Sequence, residues 1–372
     1  MGERLTSRPF GTIRAMSLTN ASDHAPLIRP SVASLRAYVP GEQPHGDGWI
    51  KLNTNENWFV APEVLNAVAR AATTDLRRYP DPVFTALRAR LEARYGVPSA
   101  QIICGNGSDE ILTLLIRACA GEGDRIAYGE PSYSLYETLS HIQNAAPVGV
   151  PMGPQWELPV DALLAIDAPL TLVTTPHAPS GTAFPLPDLE RLATGLSGVV
   201  AFDEAYVDFG GESALGFLDR YPNVVVVRTM SKAFGLAGIR LGYAFGAPTV
   251  IDALYRIKDS YNVDVLSQVA GCAALDAWES YATINKETAL RRDRVAMALR
   301  EQFGWHVWPS ATNFLLATPV DADAAIISER LKAERILVRY FDRPRLHRSL
   351  RISIGSETEM ARFLDALAEV VG

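Results

Sequence analysis

The sequence predicts an α/β protein: a mostly parallel sheet covered on both faces by helices, with a smaller α+β lobe after it. Three observations predict this. Between about residues 100 and 250, short apolar runs alternate with stretches of helix length, the texture of parallel strands buried on both faces. After about residue 302, three strand-like runs and two helical stretches interleave in a second pattern. The chain has 372 residues, 48% of them hydrophobic and 21% charged, which suits two globular domains or one large domain with a lobe.

In chain order, residues 1–50 are rich in Pro, Ser and Gly, with Pro26, Pro30, Pro40 and Pro44, and read as an irregular arm. Residues 1–28 carry arginines but no apolar core of signal-peptide type, and read as a loose tail. Residues 64–72 and 83–95 have helical spacing with Arg-rich outer faces, and Pro82 stands near the start of the second. Strands are expected at 101–104, 125–128, 171–174, 199–202, 224–228 and 241–245, with helices such as 108–120 and 186–196 between them. Residues 250–302 read as helical and Arg-rich. Strands at 313–317, 336–340 and 350–354 and helices at 323–334 and 357–370 close the chain. The expected division is an arm over 1–60 that joins the small lobe, a large domain over 61–275 and a small α+β domain over 276–372.

The 35 basic and 42 acidic residues give a net charge of −7, so there is no whole-protein basic footprint for nucleic acid or an anionic membrane. Apolar runs are too short to span a bilayer. Cys104, Cys119 and Cys272 lack metal spacing and cannot all pair, which suggests a reducing, cytoplasmic setting and no metal site.

Only five residues are lysines, and Lys232 stands apart from Lys51, Lys258, Lys286 and Lys332. It lies just past the four-valine strand among small residues, with Gly235 and Gly238 nearby. Most lysines are solvated surface charges, but these tight apolar flanks favour a buried one. A desolvated lysine has a lowered pKa and can act as an amine nucleophile that forms a Schiff base. Arg240, eight residues on, is suited to a phosphate dianion. The run Ser231-Lys-Ala-Phe-Gly-Leu-Ala-Gly-Ile-Arg240 resembles the cofactor-lysine signature of the fold type I pyridoxal-phosphate aminotransferases, and within them most of all the histidinol-phosphate aminotransferase group. The resemblance runs from about Leu52 to the C-terminus over several separate motifs. It implies a seven-stranded type of sheet in the large domain and pyridoxal 5'-phosphate bound there.

Other segments agree. Asp203 closes an apolar strand, where an acid is ordinarily a helix cap or solvated; the resemblance implies that it holds the proton on the cofactor's ring nitrogen, and that Tyr206 bonds its phenolic oxygen. Cys104-Gly-Asn-Gly-Ser108-Asp109 joins a strand to a helix. It is a turn and cap, and it also presents amides and a positive dipole end to a phosphate. By resemblance Ser108, Asp109, Ser231 and Arg240 form the phosphate cup. Tyr133 matches the aromatic that stacks on the cofactor ring. Tyr79, in Arg78-Tyr-Pro-Asp81, matches a tyrosine that reaches the phosphate of a neighbouring subunit, which implies a homodimer with shared sites. Arg351 matches the arginine that grips an anionic substrate group, and Arg339 a second anion contact. Asn55 and Phe59 fall in a substrate-side segment.

Two segments depart from the family. Where it has Pro-Asn-Asn-Pro-Thr-Gly, with an asparagine on the phenolic oxygen, this chain has Pro176-His177-Ala178-Pro179-Ser180-Gly181. Either His177 replaces that donor or it faces elsewhere and the bond is lost. After Asn55-Glu-Asn57 the family's Pro and Tyr give way to Trp58 and Phe59, so the pocket is more aromatic. The resulting expectation is a transaminase passing an amino group from histidinol phosphate, or else an aromatic amino acid, to 2-oxoglutarate. A decarboxylase, lyase or oxidase of the same fold is the rival enzyme. A cofactor-binding regulator is the non-enzymatic one, and residues 1–50 are too irregular for its DNA-binding domain.

Overall fold

A computed structural model of the chain describes residues 27–35, 40–74 and 76–371. Most of the loose tail expected at 1–28 therefore lies outside the described residues. Twelve strands appear among those described: β1 (Ile50–Leu52), then β2 (Ile102–Gly105), β3 (Arg125–Glu130), β4 (Ala146–Pro151), β5 (Leu170–Thr174), β6 (Val199–Asp203), β7 (Val224–Thr229) and β8 (Gly242–Gly246), and finally β9 (His306–Val307), β10 (Phe314–Thr318), β11 (Ile336–Tyr340) and β12 (Leu350–Ser353).

Seven strands form the large sheet in the order β2-β8-β7-β6-β5-β3-β4. All are parallel except β8, which runs antiparallel to both neighbours. Every residue of β5 and β7 is buried, as continuous apolar strands under two helical layers require. One core cluster packs on each face, built around residues such as Phe202 and Val226 on one side and Ala201 and Val225 on the other. The register sets Thr174 beside Asp203 and Asp203 beside Val227, so the carboxyl ends of β5, β6 and β7 stand in line. In such sheets ligands bind beyond that edge.

β4 was absent from the sequence expectation, and the reason is its residues. Pro147, Gly149 and Pro151 read as breakers, yet β4 is an edge strand that, among the described residues, pairs only with β3, where a missing N–H on the outer side costs no ladder bond. Helices Leu135–Ile142 and Val160–Ile166 were also not anticipated. The helical stretch read over 250–302 is three helices, Pro248–Ile257, Val265–Asp276 and Trp278–Phe303. Asp264 restarts the second by accepting the Ser267 N–H at 2.8 Å.

The second sheet has the order β1-β11-β12-β10-β9 and its own core, with Phe363, Leu331 and Leu350 at its centre. β1, from the N-terminal arm, pairs in parallel with β11 through Ile50↔Ile336 and Leu52↔Val338. β11 and β12 are antiparallel, and their register sets Arg339 directly opposite Arg351.

Candidate active site

A cleft of about 1490 Å³ opens at the carboxyl ends of β5, β6 and β7, closed on its far side by β11, β12 and the segment after β1. Asp203, Tyr206, Ser231, Lys232 and Arg240 line it from the large sheet, and Asn55, Arg339 and Arg351 from the small one.

Asp203 ends β6 at the cleft floor with 4% of its surface exposed. Its Oδ2 accepts from the Tyr136 hydroxyl at 2.9 Å and its Oδ1 from the Ala205 N–H at 3.2 Å. No ion pair involves Asp203 among the described residues, so this buried carboxylate has neutral donors and no cation. Burial pushes its pKa up to about 6, against the smaller downward pull of those two hydrogen bonds. Tyr136 is itself fixed by Thr174 at the end of β5, at 2.7 Å.

Lys232 follows β7 in the loop that reverses into β8. Its ammonium donates to the Thr54 carbonyl at 2.8 Å and lies 5.9 Å from the centre of the Tyr206 ring. Burial lowers its pKa to about 8, and the charge of Arg351 adds to the effect. A lysine of this kind is a good amine nucleophile near neutral pH.

The anion end of the cleft is built by close backbone approach. Ser108 opens the helix Ser108–Cys119, with Gly107 before it at φ 81°. A Cβ on Gly107 would lie 2.7 Å from Arg240 Nη2, and one on Gly242 would lie 2.3 Å from the Ser108 nitrogen. Arg240 is left-handed (φ 54°) and reaches Asp109 Oδ2 at 3.2 Å and Ser231 Oγ at 3.4 Å. A helix N-terminus, two hydroxyls and a guanidinium thus converge, a donor set suited to a phosphate dianion. Tyr133 lines the same cleft, its hydroxyl on Asp109 Oδ1 at 3.1 Å. Together with the buried acid and the low-pKa lysine, these residues fit pyridoxal phosphate.

On the opposite wall, Arg351 donates to the Asn53 carbonyl at 3.2 Å and Arg339 to the Pro40 carbonyl at 3.5 Å. Both guanidiniums lie on Phe341, at 5.2 Å and 5.1 Å from the ring centre. Two planar cations side by side can take a carboxylate and a second anion.

Three residues singled out in the sequence do not line this cleft. His177 is a correction. Its ring is buried between Trp156 and Phe184, at 5.8 Å and 5.7 Å, and its Nδ1 meets Ser180 Oγ at 2.8 Å. Burial lowers its pKa to about 3, so it is neutral at physiological pH. The residue of that turn facing the cleft is Ala178, with Pro179. Phe59 packs edge-on against Tyr281 at 5.6 Å instead of facing the pocket. Tyr79 is 78% exposed on the outside and stacks on Tyr261 at 4.3 Å. Sequence reasoning passed over Tyr136, which holds Asp203, and Thr174, which holds Tyr136; the only signal was an aromatic three residues after Tyr133.

The chain matches the family described as aminotransferase class I and II over residues 47–367. It is 42% identical over 347 residues to histidinol-phosphate aminotransferase 1 of Trichormus variabilis, covering 92% of this chain and 99% of that protein. It is 43% identical over 345 residues to the histidinol-phosphate aminotransferase of Citrifermentans bemidjiense, covering 92% and 98%. Among solved structures it resembles the histidinol-phosphate aminotransferase from Sinorhizobium meliloti in complex with pyridoxal-5'-phosphate, with a TM-score of 0.86 and 29% identity over 93% of this chain and 97% of that one.

Proposed function

The chain belongs to the class I and II aminotransferases, and from that premise we propose that it is a homodimeric, cytoplasmic transaminase that binds pyridoxal 5'-phosphate and takes histidinol phosphate as amino donor and 2-oxoglutarate as acceptor. Bound there, the cofactor supplies an electron sink for a carbanion at the carbon that bears the amine. Asp203 keeps the ring nitrogen protonated. Lys232 holds the cofactor and then carries the proton between the two carbons involved. Tyr206 donates to the phenolic oxygen, Tyr133 stacks on the ring, and the Ser108 amide end, Ser231 and Arg240 hold the phosphate. Arg351 takes the anionic group of the substrate, the phosphate of the donor or a carboxylate of the acceptor, and Arg339 is a second contact to the donor's phosphate. The unit that carries the cofactor is 61–275, with 276–372 and the arm 1–60 supplying the substrate side.

One observation carries this reading: a buried carboxylate without a cation faces the same cleft as a lysine of lowered pKa. Asp203 would hold a protonated pyridine nitrogen, and Lys232 would supply the amine that holds the cofactor. A decarboxylase, lyase or oxidase is not favoured, since the relatives are aminotransferases. No helix among the described residues is long and apolar enough to cross a membrane.

The test is a panel of donors read by absorbance of the bound cofactor. Histidinol phosphate should convert it at least about tenfold more efficiently than phenylalanine, and 2-oxoglutarate should restore the starting spectrum. Arg339→Ala should narrow that preference and leave phenylalanine nearly unchanged. Repeated turnover without any 2-oxo acid would overturn transamination, and equal losses for both donors would remove Arg339 from the role.

A further inference from the structure

Tyr206 is backed by a residue of the opposite wall. Asn55 Nδ2 donates to the Tyr206 hydroxyl at 3.0 Å, with both groups buried. Asn55 is held on three sides. Its N–H donates to Ser353 Oγ at 2.8 Å, Ser353 Oγ donates to its Oδ1 at 3.0 Å, and its carbonyl accepts from Asn313 Nδ2 at 3.0 Å. Its backbone is left-handed, at φ 56°, a conformation that Asn tolerates better than most residues. These bonds fix which end of the amide faces Tyr206. The Ser353 hydroxyl donates its proton to Oδ1, and Nδ2 on the other side of the amide faces the tyrosine. On the other side of the cleft, the turn at 175–181 offers only Ala178 and Pro179, and neither side chain can donate.

We propose that Asn55 is the positioning residue for Tyr206: its amide occupies the tyrosine oxygen as a donor, and so turns the tyrosine's own proton into the cleft, toward the phenolic oxygen of the bound cofactor. This rests on the cofactor reading above. A phenol that accepts one hydrogen bond donates more strongly through its own O–H, because the two bonds polarise each other. Asn55 thereby supplies, through Tyr206, the stabilisation that the turn at Ala178 does not. The arrangement also ties the tyrosine to the substrate wall. Ser353 lies two residues beyond Arg351 on β12, hence on the same face of the strand. An anion drawn onto Arg351 acts on the strand that clamps Asn55.

The test is a pH titration of the absorbance of the cofactor-loaded protein. Asn55→Gly suits the left-handed backbone and deletes the amide. It should raise the pH of the colour change by roughly 0.5–1 unit, the size of one hydrogen bond. Asn55→Asp, which replaces the donor with an acceptor, should raise it further. In a Tyr206→Phe background, Asn55→Gly should have no further effect, which a merely structural role would not produce. Ser353→Ala, which removes the hydroxyl's two bonds to Asn55 but leaves the amide in place, should shift the titration the same way by less. A fall in the midpoint, or the same shift with and without the Tyr206 hydroxyl, would overturn the proposal. A loaded protein without any visible cofactor band would instead sink the cofactor reading itself.

Discussion

Asp203 is destabilising until a cation arrives. Its folded pKa of about 6 lies above the ordinary 3.8, so between those values the native state holds the proton more tightly than the unfolded chain does. Native stability therefore falls as pH rises through that window and stays lower above it. A protonated ring nitrogen reverses the sign, because an ion pair favours the ionised acid. Asp203→Asn should make the cofactor-free protein more stable at pH 7.5, by up to about 2–3 kcal/mol, while turnover of the loaded enzyme falls on the order of a thousandfold. The stability gap should close as pH is lowered toward 4, as measured by thermal melting of both proteins without cofactor. A variant that is less stable than the parent at pH 7.5 would contradict this account. At this scale Lys232 and Asp203 were legible because each breaks a local rule, a lysine in an apolar turn and an acid ending a buried strand. His177 was not. Its direction depends on Trp156 and Phe184, whose packing against it no local pattern encodes. Asn55 was legible only as part of a motif, since the partner that defines it, Tyr206, lies 151 positions away.

Elements bring these residues together by close backbone contact. The turn before Ser108–Cys119 can lie against the start of β8 only because Gly242 has no side chain. A Cβ there would stand 2.3 Å from the Ser108 nitrogen and 2.5 Å from the Gly107 carbonyl carbon, both backbone atoms that cannot swing aside. Gly242→Ala should therefore displace the anion-binding turn. The expected outcome is roughly 1–3 kcal/mol of lost stability and a weaker grip on both the cofactor and inorganic phosphate, measured by melting and by equilibrium dialysis. Gly238→Ala, in the same β7–β8 connection, meets open space and should change neither. Identical behaviour of the two variants would mean that the close approach does not shape the turn. Most central strands were visible in the sequence as apolar runs, because a sheet covered on both faces leaves no polar alternation to disguise them. The edge strand β4 was hidden by its prolines. The separate pieces of 250–302 were hidden because short breaks between helices, such as the one closed by Asp264, interrupt helical spacing only briefly.

At the scale of the whole molecule, the cleft joins the ends of three parallel strands to an antiparallel pair that carries two opposed arginines, and β1 ties the N-terminal arm to that pair. The two-sheet plan was legible from the change of texture along the chain. What lies beyond one chain is a proposal, and Tyr79 is where it can be tested. It is exposed, outside the cleft, and held flat against Tyr261. A large, oriented aromatic at the surface suits a role in a partner's site. If each site takes its Tyr79 from the other protomer, then Tyr79→Ala and Lys232→Ala damage the same site from different chains. Each variant alone should be impaired, Lys232→Ala without turnover and Tyr79→Ala with weakened cofactor binding. In a hybrid dimer, one site collects both defects. The other has Lys232 from the Tyr79→Ala chain and Tyr79 from the Lys232→Ala chain, and is intact. Unfolding and refolding an equal mixture should thus restore high-affinity cofactor binding and turnover at limiting cofactor, above the sum of the two variants refolded separately. A mixture that only matches this sum, with hybrids verified by differently tagged chains, would place Tyr79 outside the partner's site.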